Sequence, residues 1–135
     1  MNIFLNKKIL IYGLGKSGLS AFKFLKNKCD IFLYDDQTKF KTLDIRKNLI
    51  SYENILKFEF DQIILSPGIN INNLKLSKFL KKNHNKIYSD LDVFYAFYKN
   101  DCITITGTNG KSTTCQLMYE VLLNQKFDVK LVGNI

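Results

Sequence analysis

The feature that most limits the fold is a passage that occurs twice: an apolar run, a glycine-rich loop and a helix-forming segment, in that order. The first copy runs from Lys8-Ile-Leu-Ile-Tyr12 into Gly13-Leu14-Gly15-Lys16-Ser17-Gly18, and the second from Ile103-Thr-Ile-Thr106 into Gly107-Thr108-Asn109-Gly110-Lys111-Ser112-Thr113. A short apolar run is the pattern of a strand buried in a parallel sheet. The glycines let backbone N–H groups turn toward an anion, and the following helix directs its positive N-terminus to the same place. The pair predicts an α/β protein that handles phosphates.

The second loop is the more specific. Lys111 adds a mobile positive charge, and Ser112 is placed to touch a magnesium ion carried by phosphates. Its spacing departs from G-x-x-x-x-G-K-[ST], because the residue five before Gly110 is Ile105, and matches the shorter T-G-x-x-G-K-[ST]-T form. An ordinary strand-to-helix turn would explain the glycines but not the lysine and the hydroxyls after them.

Around the first loop, a helix is predicted from Ser17 to Asn27, with Leu19, Phe22 and Leu25 on one face and Ala21 and Phe24 beside them. Ile31–Tyr34 is the next strand, and it stops at Asp35-Asp36. An acid at the end of the second strand, about 20 residues past the glycines, completes a Rossmann-type fingerprint for a ligand with phosphates and a ribose. An NAD-dependent dehydrogenase fits this half alone but leaves Gly107 to Thr113 without a role.

Further along, Gln37 to Asn48 reads as a polar connection, followed by weakly patterned residues to Phe60. Asp61–Leu65 is a strand closed by Ser66-Pro67-Gly68, where proline ends the run and glycine allows a sharp turn. A helix is expected over 73–82 with Leu74, Leu76, Phe79 and Leu80 inward, a short strand at Lys86–Tyr88, and a helix from Asp90 to Tyr98 whose aromatics are read as core. The alternation predicts a small doubly wound, Rossmann-like parallel sheet over 1–92, then a linker over 93–100. Over 101–135 it predicts the first βαβ unit of a phosphate-loop domain: a strand to Thr106, a helix from Ser112 to Asn124 with Leu117, Met118, Val121 and Leu122 on one face, and a strand from Asp128 to Val132.

Bulk properties exclude several classes. The net charge of +8 could suggest nucleic acid, but the excess is lysine spread along the chain with Arg46 the single arginine, so no DNA-reading surface is expected. No apolar run approaches the roughly 20 residues that span a bilayer, and the first residues lack signal-peptide order, so a cytoplasmic location without membrane contact is expected. Cys29, Cys102 and Cys115 have no paired spacing and are read as reduced core residues. His84, in a polar stretch, is read as a solvated loop residue. Oligomeric state is not legible.

Two nucleotide-type loops in this order and this close together resemble the Mur ligases of bacterial cell-wall synthesis, most nearly those that add D-glutamate. The resemblance rests on Gly13 to Gly18, Asp35, Ser66-Pro-Gly-Ile69, Ser89-Asp-Leu-Asp-Val-Phe94, Thr106 to Thr113 and Gly133-Asn134-Ile135. It covers the whole chain but about the first third of such an enzyme, which has UDP-binding, ATPase and amino-acid-binding domains. It implies that ATP phosphorylates the carboxylate of UDP-N-acetylmuramoyl-L-alanine and that D-glutamate then displaces phosphate. By position, Gly13, Leu14, Gly15, Lys16, Ser17 and Gly18 would hold the UDP diphosphate, Asp35 the uridine, and Ser66, Pro67 and Gly68 the uracil pocket. Gly107, Thr108, Asn109, Gly110, Lys111, Ser112 and Thr113 would hold ATP, with Lys111 catalytic on the β and γ phosphates and Ser112 on Mg2+; Asn134 would contact the muramoyl substrate.

Two departures accompany the likeness. Asp36 and Gln37 stand where the D-glutamate-adding ligases often have a hydroxyl and a basic residue. The family's later magnesium ligands, carbamylated lysine and amino-acid-binding domain are absent, so the chain alone is expected to be inactive, with a non-catalytic nucleotide-binding remnant as the alternative from another class.

Overall fold

A computed structural model of the chain describes residues 2–37, 43–73 and 75–133. It divides into two compact units, Met1–Lys99 and Asn100–Ile135. In the first, four parallel strands form one sheet: β1 (Lys8–Tyr12), β2 (Asp30–Tyr34), β3 (Gln62–Leu65) and β4 (Ile87–Tyr88), in the order β2-β1-β3-β4. The chain leaves β1 for β2 on one side, then returns past β1 to β3 on the other. Ligand crevices of open α/β sheets form at such a reversal, outside the carboxyl ends of the strands.

Side chains alternate across the sheet. Ile9, Ile11, Ile31, Leu33 and Ile64 face one way and meet Ala21, Phe22 and Leu25 of helix α1 (Lys16–Leu25), Ile45 of α2 (Leu43–Arg46) and Val93 of α5 (Asp90–Phe97). Leu10, Tyr12, Tyr34 and Ile63 face the other way, against Ile55 of α3 (Tyr52–Ile55) and Leu80 of α4 (Ser77–Lys82). With both faces covered, β1 carries no polar side chain between Ile9 and Tyr12, as a two-sided strand requires. Each fully buried Ile or Leu of this set contributes about 1.5–3 kcal/mol.

The outer edge of β2 is also covered. Leu33 donates to Asn48 O and accepts from Ile50 N, and Asn48 Nδ2 donates to Ile31 O, so the 48–50 segment closes an otherwise open edge. At the start of β3, buried Gln62 donates to Ile3 O at 2.6 Å and ties the N-terminal segment to the sheet.

Several sequence expectations are corrected. The polar connection contains α2 and the weakly patterned stretch after it contains α3, capped by Ser51, while 38–42 lie outside the described residues. The helix expected over 73–82 begins at Ser77 after a 3-10 turn at Ile71–Asn73; Leu76 and Leu80 are buried, Phe79 is half-buried, and Leu74 lies outside the described residues. Phe24 is exposed, because the helical turn places it beside the buried stripe; its ring meets Phe97 edge-to-face at 5.0 Å. In α5 only Val93 is fully buried. Tyr95 and Tyr98 are exposed and Phe94 stacks on Tyr98 at 4.8 Å, an i,i+4 pair on the helix surface rather than core. This helix lies within the first unit and crosses residue 92.

The second unit has one regular element among its described residues, helix α6 (Lys111–Asn124). Lys126, at φ 63°, closes its C-terminus: the Lys126 amide donates to Leu123 O and the Phe127 amide to Leu122 O. The strands expected before Gly107 and from Asp128 to Val132 are not formed among the described residues. Both segments lie outside any ladder of the described residues, and Ile103 and Val132 are exposed. Leu117, Met118 and Val121 are exposed as well, and Leu122 is half-buried.

Candidate functional site

β1 ends on Tyr12, and the chain turns at once through Gly13, whose φ of 93° suits glycine. A Cβ there would stand 2.4 Å from Ile69 Cδ1 and 2.8 Å from Ser66 Cβ. The Ser66-Pro67-Gly68-Ile69 turn, closed by Ile69 N donating to Ser66 O, is therefore pressed against the glycine loop. Ser66 fastens the two: its amide donates to Tyr12 O at 3.0 Å and its hydroxyl to Gly13 O at 2.7 Å. Gly68 does not take the left-handed conformation, so the turn does not use the freedom expected of it.

Gly15 is the N-cap of α1 and offers no side chain, and the first turn holds no acid. The amides of Lys16, Ser17 and Gly18 have no intrahelical acceptors, so an anion would meet N–H groups, the helix dipole and Lys16 together. No atom lies within 4 Å of where a Cβ on Gly15 would stand, which leaves the mouth of the loop open.

Asp35 follows the last residue of β2 and turns back to the loop. Its Oδ2 accepts from the Leu14 amide at 2.6 Å and its Oδ1 from the Gln37 amide at 2.8 Å. Beside it, Asp36 accepts from Tyr12 OH at 2.5 Å and from Tyr34 OH at 3.1 Å, and the two tyrosine rings meet edge-to-face at 5.1 Å. Burial, then the hydrogen bond to Asp36, pushes the Tyr34 phenol up to about 12 and the Tyr12 phenol higher. A cleft of about 340 Å³ opens next to the acids, lined by Tyr34, Ile50, Tyr52, Glu53 and Lys75 among others.

The fold thus gathers Gly13, Leu14, Asp35 and Ser66 into one hydrogen-bonded cluster, with Gly18 packed against the Gly13 carbonyl. Tyr12, Tyr34 and Asp36 belong to it but carry no motif. Their signal is register: Tyr12 and Tyr34 are paired across β1 and β2, and Asp36, two residues beyond Tyr34, falls on the same side.

In the second unit, Gly107 at φ 154° and Gly110 at φ 76° bend the loop into α6. Lys111 folds back over it, donating Nζ to Gly107 O and Thr108 O, and Thr114 Oγ1 donates to Gly110 O at 2.9 Å. The amides of Lys111, Ser112 and Thr113 open the helix without intrahelical acceptors. Asn134 lies outside the described residues, and among those described no group of three or more His, Cys, Asp or Glu could hold a metal ion.

The sequence profile of the Mur ligase MurD-like N-terminal domain matches residues 7–87, the stretch from the start of β1 through the first residue of β4. The chain belongs to this family. It is similar to UDP-N-acetylmuramoylalanine–D-glutamate ligases: 36% identical to that of Rickettsia felis over 140 residues and 39% identical to that of Rickettsia prowazekii over 141, in each case with 100% of this chain and 31% of the relative covered. With the Aquifex aeolicus ligase it shares 36% identity over 129 residues, covering 95% of this chain and 28% of that one. The chain therefore spans about a third of the length of these MurD-like relatives. No helix among the described residues is long and apolar enough to cross a membrane.

Proposed function

We propose that this chain is the N-terminal part of an ATP-dependent ligase that joins D-glutamate to UDP-N-acetylmuramoyl-L-alanine in peptidoglycan synthesis, in the cytoplasm. The observation that carries the reading is the order of two anion-receptive loops, Gly13–Gly18 before α1 and Gly107–Thr113 before α6, in a chain similar to such ligases from end to end. On this reading the first loop, with Lys16 and Ser17, takes the UDP diphosphate, Asp35 takes the uridine, and Ser66 to Gly68 bound the uracil pocket.

The second loop fits a nucleoside triphosphate, since Lys111 already rests on two loop carbonyls and can exchange them for β and γ phosphate oxygens. Ser112 supplies a hydroxyl to a phosphate-bound Mg2+, as expected of a residue directly after the loop lysine. When bound, ATP supplies the phosphoryl group that turns the substrate carboxylate into an acyl phosphate, from which the D-glutamate amine displaces phosphate to leave an amide. The residues here contribute positioned charge and backbone dipoles rather than a covalent nucleophile.

Calorimetric titration of this chain separates the reading from a dinucleotide-binding one: UDP-N-acetylmuramoyl-L-alanine should bind more tightly than NAD, and the reverse order would overturn it. In an enzyme carrying this chain, Lys111→Ala should abolish ADP release that depends on the UDP substrate.

A further inference from the structure

Asp36 carries no motif, yet at the rim of the sheet it is held at both carboxylate oxygens, as Asp35 is. Both its oxygens accept a phenolic hydroxyl, from Tyr12 at 2.5 Å and Tyr34 at 3.1 Å. The two donors are buried, are paired in register as the last residues of β1 and β2, and pack ring edge to ring face. Bonds from neutral donors to a carboxylate are among the stronger hydrogen bonds and are stronger still away from water.

The constraint reaches the glycine loop through one peptide. Asp35 precedes Asp36, and its carboxylate bridges the amides of Leu14 and Gln37. If Asp36 swung outward, the backbone between them would turn and the 2.6 Å bond to Leu14 would break. Leu14 sits between Gly13, which is pinned by Ser66, and Gly15, which caps α1. Releasing Leu14 would therefore free the part of the loop that aims the first amides of α1.

We propose that Tyr12 and Tyr34 are positioning residues for nucleotide binding, gripping Asp36 so that Asp35 stays on the Leu14 amide and the Gly13–Gly18 loop is set before a ligand arrives. Asp36 then acts as a strut rather than a ligand contact. This rests on the reading that the first loop binds a uridine diphosphate group. Preorganisation of this kind raises affinity by lowering the ordering cost of binding.

The test uses the whole chain with UDP as the probe, comparing wild type with Tyr12→Phe, Tyr34→Phe, Asp36→Ala and the Tyr12→Phe/Asp36→Ala pair. Tyr12→Phe should weaken UDP by roughly five- to tenfold, the effect of losing about one buried hydrogen bond. The pair should be no weaker than Asp36→Ala, since the tyrosine acts through the acid. Amide exchange by NMR supplies the readout that a merely structural role would not give: Leu14 and Gln37 should exchange faster in Tyr12→Phe, with Ile9 and Leu10 unchanged. Wild-type UDP affinity in Tyr12→Phe, or exchange that rises evenly along β1, overturns the proposal. If the wild-type chain fails to bind UDP, the nucleotide reading falls; exchange at Leu14 then decides the strut by itself, unchanged exchange in Tyr12→Phe refuting it and faster exchange supporting it. Tyr34→Phe, which loses the longer bond, gives the same comparison should Tyr12→Phe not fold.

Discussion

The carbonyl oxygen of Gly13 lies 1.9 Å from the point where a Cβ on Gly18 would stand. No side chain fits that gap, and the obstacle is backbone already bonded to Ser66, so it cannot move aside. Gly18→Ala should cost about 2–4 kcal/mol in urea unfolding, as overpacking against a fixed group does. Gly15→Ala, which meets open space at an ordinary φ of −71°, should change stability by less than about 1 kcal/mol. Equal losses at the two positions would refute the close-contact explanation.

Alkaline pH should destabilise the first unit through its paired tyrosines. Burial and the bond to Asp36 raise the Tyr34 phenol from 10.0 to about 12, and the Tyr12 phenol lies higher. A proton held more tightly in the folded state adds stability that is complete below the unfolded value and disappears as pH rises through the folded one. Denaturation midpoints should therefore fall between about pH 10 and 12, and the fall should be shallower in a Tyr12→Phe/Tyr34→Phe variant.

At the acid end, Asp92 closes a capping box with Ser89, whose amide and hydroxyl both donate to it at 2.7 Å. These bonds, the amide first, hold its carboxyl below the usual 3.8. The resulting stability is present above the unfolded value and is lost as pH falls through the folded one. Ser89→Ala should cost about 1 kcal/mol at neutral pH. The difference from wild type should narrow as pH falls below the usual 3.8 and Asp92 protonates in both.

In the second unit, no described residue from 100 to 133 is buried, whereas Ile9, Leu10 and Ile11 are fully so. Hydrogen exchange should show Lys111–Asn124 opening far more readily than Ile9–Tyr12, because an exposed helix of 14 residues has little beyond its own propensity to hold it. Comparable protection would show that α6 is covered in solution. Lys126→Gly should slow exchange in the last turn of α6, since it relieves a left-handed lysine at a cost of about 1 kcal/mol.

What the sequence revealed was whatever local pattern decides. Ile9 to Tyr12, Ile31 to Tyr34 and Gln62 to Leu65 are strands in the structure as in the sequence, because an unbroken apolar run bounded by glycine or acid has few other uses. The Gly13 loop, Asp35 and Ser66 were legible for the same reason, being fixed by spacing to strand ends. Helices α2 and α3 were not, as four residues each are too few to show a period. Phe94 and Tyr98 were misplaced because an aromatic covers surface as readily as core, and spacing alone does not fix which side of a helix is wet. The runs flanking α6 look like strands, but a strand needs neighbours that local sequence cannot supply. Asp36 stood out in the sequence only as a departure from the family pattern, and its hold on two tyrosines was not legible because it comes from strand pairing: Tyr12 is far away in sequence and adjacent only once β1 and β2 align.

The level finish of the strands bears on how this site can change through mutation. Tyr12 is paired with both Tyr34 and Leu65, so three loops leave the sheet from a single line. Inserting or deleting one residue within β1 would turn its side chains to the opposite faces and carry Gly13 away from Ser66. The frame of the site therefore tolerates exchange of residues but not change of length. Indels that survive selection should fall in the stretches between elements, and new ligand preferences should arise by substitution along that line.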